Sequence, residues 1–315
     1  MPNVRPVLPT DLLALVSYNG KVYPNEARPR ERIGASEPAA NPIETALEQW
    51  LSFATRRHAW ISSRRQRLLG LVSARRRGGR LAWEIDCLID TTPAVGAVPG
   101  LLDCAIQAGG KAGAEKLFLR LSANSPLLQV AMSAGFSAYC SERLYVGSNL
   151  ALQEEPRVSL RPFSQPDQYP AFRLYNCVLP ERTRRAEAAT FTEWQAAQER
   201  RWLKGGVELV LDGEGALLAH VRASRLAHGV LVDVRAASEA LPQAPAMIRG
   251  AFESVGGPGP VMTLVHEADG ALASRLEEFG FEAREEFFSL MCRTTRVARL
   301  PKMVPATIPK GAVIT

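Results

Sequence analysis

Residues 119–139 read LRLSANSPLLQVAMSAGFSAY, and residues 264–290 read LVHEADGALASRLEEFGFEAREEFFSL. Each begins as an apolar strand. In the first, Asn124 precedes a short helix predicted over about Ser125 to Ser133, closed by Gly135-Phe136. In the second, Asp269 stands near the place of Asn124, a helix is predicted from Gly270 to Phe279, and Gly280-Phe281 follows. A glycine just past the last periodic residue is a helix stop signal.

Outward from these stretches the two halves keep the same order. The first opens with the strand NVRPVL and a helix PTDLLALVSYN, capped at Thr10 or Asp11. A polar, proline-rich loop runs from Val22 to Pro42, and a helix resumes at IETALEQWLSFATR. Strands HAWISS, LLGLVSAR and LAWEIDCLID follow, the last two joined across Gly78-Gly79. After a helix from about Val98 to Ala112 come the strand KLFLRLS, the short helix, and FSAYCSERLYVGS, read as two short strands. The second half gives strand RVSLRPF, helices PDQYPAFRLYNCVL and ATFTEWQAAQERRWL, and strands GVELVLD, ALLAHVRAS and HGVLVDVRAA. It closes with helix APAMIRGAFESV, strand PVMTLVHEA, the helix from Gly270 and FEAREEFFSLMCR. A β-α-α-β-β-β-α-β-α-β-β order recurring after roughly 150 residues is the signature of a duplicated domain. The expected units are residues 1–150, residues 151–295, and an extended tail at 296–315, with the boundary in the run Asn149 to Pro156.

The helix–Gly-Phe closings and the repeated order resemble the GNAT superfamily of acyl-coenzyme A N-acyltransferases, in its two-domain form, over residues 3–147 and 157–293. The resemblance implies an α/β fold with a mixed sheet in each half. The sheet parts to admit an acyl-coenzyme A, here beside Leu88 and Ile89. It implies acetyl-CoA as co-substrate, a small-molecule or peptide amine as acceptor, and the N-terminal domain as the active one. A pyrophosphate needs backbone N–H groups and small residues at a helix start. The family's turn there is Gln/Arg-x-x-Gly-x-Gly/Ala. In TTPAVGAVPG the resemblance puts Pro93 at the first position, Gly96 at the second and Val98 at the last, with Ala97 and Gly100 beside them and Asn124 across the opening. In ASEALPQAPAM, Glu239, Pro242 and Ala244 take those positions, so the second half departs further from the pattern.

Transfer to an amine also needs a base, an oxyanion donor and an acid for the leaving thiolate. Glu84 and Asp86 share one face of LAWEIDCLID, and either could serve as base; Glu84 is favoured, because relatives carry a carboxylate there. The same two acids could equally be solvated or paired with the arginines. Asp233 holds the comparable place in the second half. The family's acidic tyrosine would fall at Ala131 and Leu276, so the pattern is broken in both halves; Tyr139 or Tyr145 could substitute.

Charge separates the halves. Residues 1–150 carry 18 Lys+Arg against 12 Asp+Glu, and the remainder carries 20 against 20, so the +6 of the chain belongs to the first half. Arg56, Arg57, Arg64, Arg65, Arg67, Arg75, Arg76, Arg77 and Arg80 occur with no acid between Trp50 and Trp83. Such a field attracts anions. It supports an alternative reading, a catalytically degenerate protein that binds an anionic partner through this hairpin. The motifs of dinucleotide-binding, P-loop and serine-hydrolase sites are missing. Histidines His58, His220, His228 and His266 lack metal-ligand spacing. The five cysteines are read as free thiols. With no long apolar run and no leader-like start, a cytoplasmic location is expected.

Overall fold

The computed structural model describes residues 3–7, 23–35, 57–64, 67–91, 96–148, 157–198 and 206–294. The expected helices over 9–19 and 43–56, the linker 149–156, the tail 296–315, Pro93, Arg56, Arg65 and the side chain of Arg67 lie outside them.

The first half supplies β1 (Asn3–Pro6), β2 (His58–Arg64), β3 (Arg67–Arg76), β4 (Ala82–Asp90), α1 (Val98–Lys111), β5 (Lys116–Ser122), α2 (Leu128–Ser133) and β6 (Ser137–Gly147). The second supplies β7 (Arg161–Pro162), α3 (Gln168–Val178), α4 (Glu181–Glu187), α5 (Phe191–Ala197), β8 (Val207–Asp212), β9 (Leu217–Leu226), β10 (Gly229–Ala236), α6 (Ala244–Val255), β11 (Val261–His266), α7 (Gly270–Glu278) and β12 (Glu282–Arg293). Helix α4 has no counterpart among the sequence expectations. Its PERTRRAE run lacks an apolar stripe and is marked only by Pro180 at its start and the Glu181–Arg185 pair. FSAYCSERLYVGS forms one long strand, not two short ones, as does the end of the second half.

All twelve strands form one sheet, in the order β1-β2-β3-β4-β5-β12-β6-β11-β10-β9-β8-β7. The order reads as two copies of one path that exchange their final strands. β12 lies between β5 and β6, pairing Leu290 with Leu119 on one side and Phe287 with Glu142 on the other. β6 in turn pairs with β11, Leu264 opposite Leu144. Both exchanged strands are therefore flanked on both sides, which leaves no bare edge in the middle of the sheet.

Helix α1 shows how the sequence builds each layer. Pro99 occupies the first turn, Leu101, Leu102 and Ala105 face the sheet, and Gly113, at φ 83°, ends the run. These leucines join Leu88, Leu117, Leu119, Phe136 and Leu290 in one core. A second core packs α6 and α7 against β9, β10 and β11 through Met247, Ile248, Leu272 and Leu276. Ala131 and Leu276, the places of the missing tyrosines, are buried in these cores. No described helix is long and apolar enough to cross a membrane.

Two further devices join the halves. The β3–β4 turn docks on α5: Gly78 N–H donates to the Gln198 carbonyl at 2.7 Å and Gly79 N–H to that of Ala196 at 3.2 Å. A Cβ at Gly78 would strike the Gln195 carbonyl, so the close approach requires glycine. Residues 23–35 cross both halves. Ile33 is buried with Leu144, Leu231 and Phe287, and its carbonyl lies 2.7 Å from His228 Nε2.

Candidate functional site

Each half contains one pair of parallel strands that starts together and then parts. β4 and β5 are in register only at Ala82–Lys116, Trp83–Leu117 and Glu84–Phe118. β10 and β11 are in register only at Val230–Val261 and Leu231–Met262. Beyond these pairs the strands diverge. What lies between them differs in the two halves.

The first opening is occupied by the chain itself. Glu26 N–H donates to the Leu88 carbonyl at 2.9 Å, and the Leu88 N–H donates to Asn25 Oδ1 at 2.8 Å. Asn25 Nδ2 donates to the Asp86 carbonyl at 3.0 Å. On the opposite wall, Arg28 N–H reaches the Arg120 carbonyl at 2.8 Å, and Ala27 bridges to Leu121. Glu26 Oε2 accepts from Ser125 Oγ at 2.6 Å, next to the exposed Asn124. The open cleft expected beside Leu88 and Ile89 is thus filled by residues 23–28, and both backbone groups of Leu88 are engaged. At the neighbouring helix start Gly96 has φ 63° and open space around it, Ala97 and Val98 are buried, and Gly100 packs on Val4.

Glu84 and Asp86 share a face, and it is packed with arginines. Arg75 Nε lies 2.6 Å from Glu84 Oε1, and its Nη1 lies 2.5 Å from Glu31. Arg57 Nε is 2.8 Å from Asp86 Oδ2, while Ser73 Oγ donates to Asp86 Oδ1 at 2.5 Å. Arg77 Nε is 3.4 Å from Glu84, and its guanidinium stacks 4.0 Å over the Phe118 ring. Burial opposes the charge on Arg75, but Glu84 and Glu31 outweigh it and raise its pKa above the ordinary value. Both carboxylates are thus engaged by arginines and Ser73 in this structure. The arginines follow: Arg75 and Arg77 are buried and Arg57 is paired, so of the nine Arg64, Arg76 and Arg80 are the ones described as exposed.

The second opening holds a small cavity of about 80 Å³ that opens to solvent. Asp233, Val234 and Arg235 of β10 form one wall, with Leu264, His266 and Asp269 on the other. Val232 to Ala236 has a strand partner only on the β9 side, so its other edge faces the cleft. Helices α3 and α4 roof it with Tyr175, Thr183 and Glu187, and the exchanged β6 brings Tyr139 and Glu142 from the first half. Arg30, from the segment that fills the first opening, reaches in to pair with Asp233, which Arg222 also holds at 2.9 Å. Arg120 pairs with Glu142 at 2.8 Å. Tyr145, by contrast, bonds Glu277 outside this cleft.

The protonation states follow from burial. Tyr139 and Tyr175 are pushed far above the usual phenol range, by burial first and then by the nearby Glu187 charge. Both stay protonated, and Tyr175 donates to Glu187 Oε2 at 3.2 Å. Burial lowers the pKa of His266. Ala268 N–H donates to its Nδ1 at 2.9 Å, so Nε2 carries the proton and donates to Thr183 Oγ1 at 3.1 Å. Burial raises the carboxyl of Asp269.

The helix start beside this cleft is closed. A 3₁₀ turn, Leu241–Gln243, precedes α6, where Gln243 N–H bonds the Ala240 carbonyl at 2.9 Å. Ala244, Pro245 and Ala246 are buried, and the prolines at 242 and 245 lack donors. Each half therefore keeps one part of the expected arrangement: a permissive turn in the first, an open strand pair in the second. Sequence reading missed Arg235, Tyr175 and Glu187. For Arg235 a signal existed: it lies two residues after Asp233 on a strand and so shares its face. Glu187 carried none, since its helix has no apolar period.

No family model and no curated protein matches the chain. Solved structures do. A GCN5-related N-acetyltransferase from Sphaerobacter thermophilus superimposes with a TM-score of 0.51 at 14% identity, covering 93% of this chain and 96% of its own. A tandem GNAT protein from the clavulanic acid biosynthesis pathway gives 0.52 at 14%, covering 94% and 99%. A putative acetyltransferase from Pyrococcus horikoshii gives 0.52 at 12%, covering 93% and 90%. The chain has the tandem GNAT fold.

Proposed function

We propose that this protein is an acyl-CoA-dependent N-acyltransferase whose working cleft lies in the second half, with the first half as a scaffold that lends it Tyr139, Glu142 and Arg30. The observation that carries this is the contrast between the two parted strand pairs. The β10–β11 opening keeps a small polar-lined cavity, while the β4–β5 opening is stitched shut by Asn25 and Glu26. This reverses the expectation that the N-terminal half works.

The acyl thioester supplies the electrophile. The free edge of β10 offers backbone donors to its carbonyl oxygen. Tyr139 and Tyr175, held protonated, are hydrogen-bond donors for the charge on a departing thiolate, which takes its proton from the acceptor nitrogen. Glu187, a cleft carboxylate in no ion pair among the described residues, takes the ammonium proton of the acceptor. Because the start of α6 is closed, the pantetheine arm and thioester carry most of the affinity. Isothermal titration of the full chain with acetyl-CoA tests this: saturable heat that a Val234→Trp substitution abolishes is expected, and no heat at millimolar ligand overturns it.

One observation favours a second reading. The 3₁₀ turn sealing α6 removes the usual pyrophosphate seat, which fits a cleft that binds a ligand without transferring a group. Binding with no acetylated product from any amine would select that reading. An anionic macromolecule would meet only Arg64, Arg76 and Arg80 on the described surface of the hairpin.

A further inference from the structure

The cations of the second cleft are matched, with one exception. Arg30 and Arg222 share Asp233, and Arg120 is on Glu142. Arg235 stands on the same strand, two residues from Asp233, and lines the same cavity. Among the described residues no carboxylate lies within 4.0 Å of its guanidinium, and none accepts a hydrogen bond from it. Its one close partner is the face of Tyr175, 5.5 Å from the ring centroid. Burial works against its charge, but the Glu187 and Asp233 charges outweigh burial through space and raise its pKa, with no ion-pair contact among the described residues.

The charge of Arg235 is thus kept, while its donors make no ion-pair contact among the described residues. Its five donors form a planar fork that fits a carboxylate with two parallel hydrogen bonds. The Tyr175 ring lies over this guanidinium, and Arg235 lines the cavity. We propose that Arg235 is the receptor for a carboxylate on the ligand of this cleft, which makes the substrates carboxylate-bearing. This rests on the reading of the second cleft as the working one and narrows it. The carboxylate has two possible sources: the far end of a dicarboxylic acyl group on the thioester, or an amino-acid acceptor.

The experiment compares wild type with Arg235→Met, which keeps the aliphatic stem, and Arg235→Lys, which keeps the charge without the fork. Calorimetry is run with succinyl-CoA and acetyl-CoA, and thermal shift with a panel of amino acids and their decarboxylated amines. A charge-assisted bidentate contact corresponds to about 10- to 100-fold in affinity. If the acyl group is the source, succinyl-CoA binds that much tighter than acetyl-CoA, and Arg235→Met erases the difference. If the acceptor is the source, the two thioesters bind alike, and the amino acids outbind their amines only when Arg235 is present. Lysine restores part of either preference. Carboxylate binding that depends on Arg235 without any acetyl-CoA binding would sink the acyltransferase and leave this receptor standing. No carboxylate preference in either arm, or an equal loss of all ligands in Arg235→Met, overturns the receptor.

Discussion

Asn25 holds Leu88 from inside the first opening: its Oδ1 accepts the Leu88 N–H at 2.8 Å and also the Ala27 N–H at 3.0 Å, while its Nδ2 reaches the Asp86 carbonyl. One buried amide thus fills the gap where β4 and β5 part. Asn25→Ala leaves three buried backbone groups without partners. Its expected cost is about 2–3 kcal/mol in urea unfolding, with no gain in acetyl-CoA affinity. A loss below about 0.5 kcal/mol would mean the segment does not hold the opening closed.

The exchange of β6 and β12 ties the halves into one folding unit. Urea unfolding should show a single transition with coincident fluorescence and circular dichroism, despite the length of the chain. Residues 1–150 expressed alone lack β12 and should not fold. Two separated transitions would contradict the interlock.

Arg75 is the centre of a buried network with Glu31, Glu84 and Asp86. Arg75→Met strands those charges and should cost about 3–5 kcal/mol. Glu84→Gln should leave acyl transfer intact if the second cleft does the chemistry, since Glu84 is then only the partner of Arg75. A large fall in kcat with normal stability in Glu84→Gln would return the chemistry to the first half.

The duplication was legible because its signals are local: each half ends a short helix at Gly-Phe, and the strand spacing repeats. The exchange was not. β6 and β12 are equivalent in the repeat, so either can fill either slot with the same alternation of residues. The filled opening was equally hidden. Residues 23–28 are polar and proline-bounded, and they read as a loop because their hydrogen bonds go to strands sixty or more residues away. The arginine-rich hairpin misled through composition: sequence shows nine cations in a row of strands, while burial decides that Arg75 and Arg77 face inward. Asp233 is legible as the counterpart of the first-half strand acids, whereas Arg235, two residues on, is seen to share its cavity only once that cavity is formed.

His266 is kept neutral by burial, below its ordinary value of 6.5. The unfolded chain takes up that proton first as pH falls. Its contribution to stability is therefore complete above the ordinary value and lost as pH drops through the lowered folded value. His58, lowered by burial and by Arg76, acts with the same sign. The urea midpoint should fall between about pH 7 and pH 5, and His266→Gln should flatten that slope. An unchanged slope would show that His266 is not held neutral.

Glu187→Gln should lower kcat by about 100-fold or more, as loss of a general base does, without changing acetyl-CoA affinity. A change in affinity alone would make Glu187 a binding group.

Hydrogen exchange on the full chain, with and without acetyl-CoA, asks directly which opening takes the ligand. New protection at residues 232–237 and 264–269, with residues 23–28 and 86–90 unchanged, is the predicted pattern. Protection gained at 86–90 while 23–28 is released would place the ligand in the first half and contradict the account.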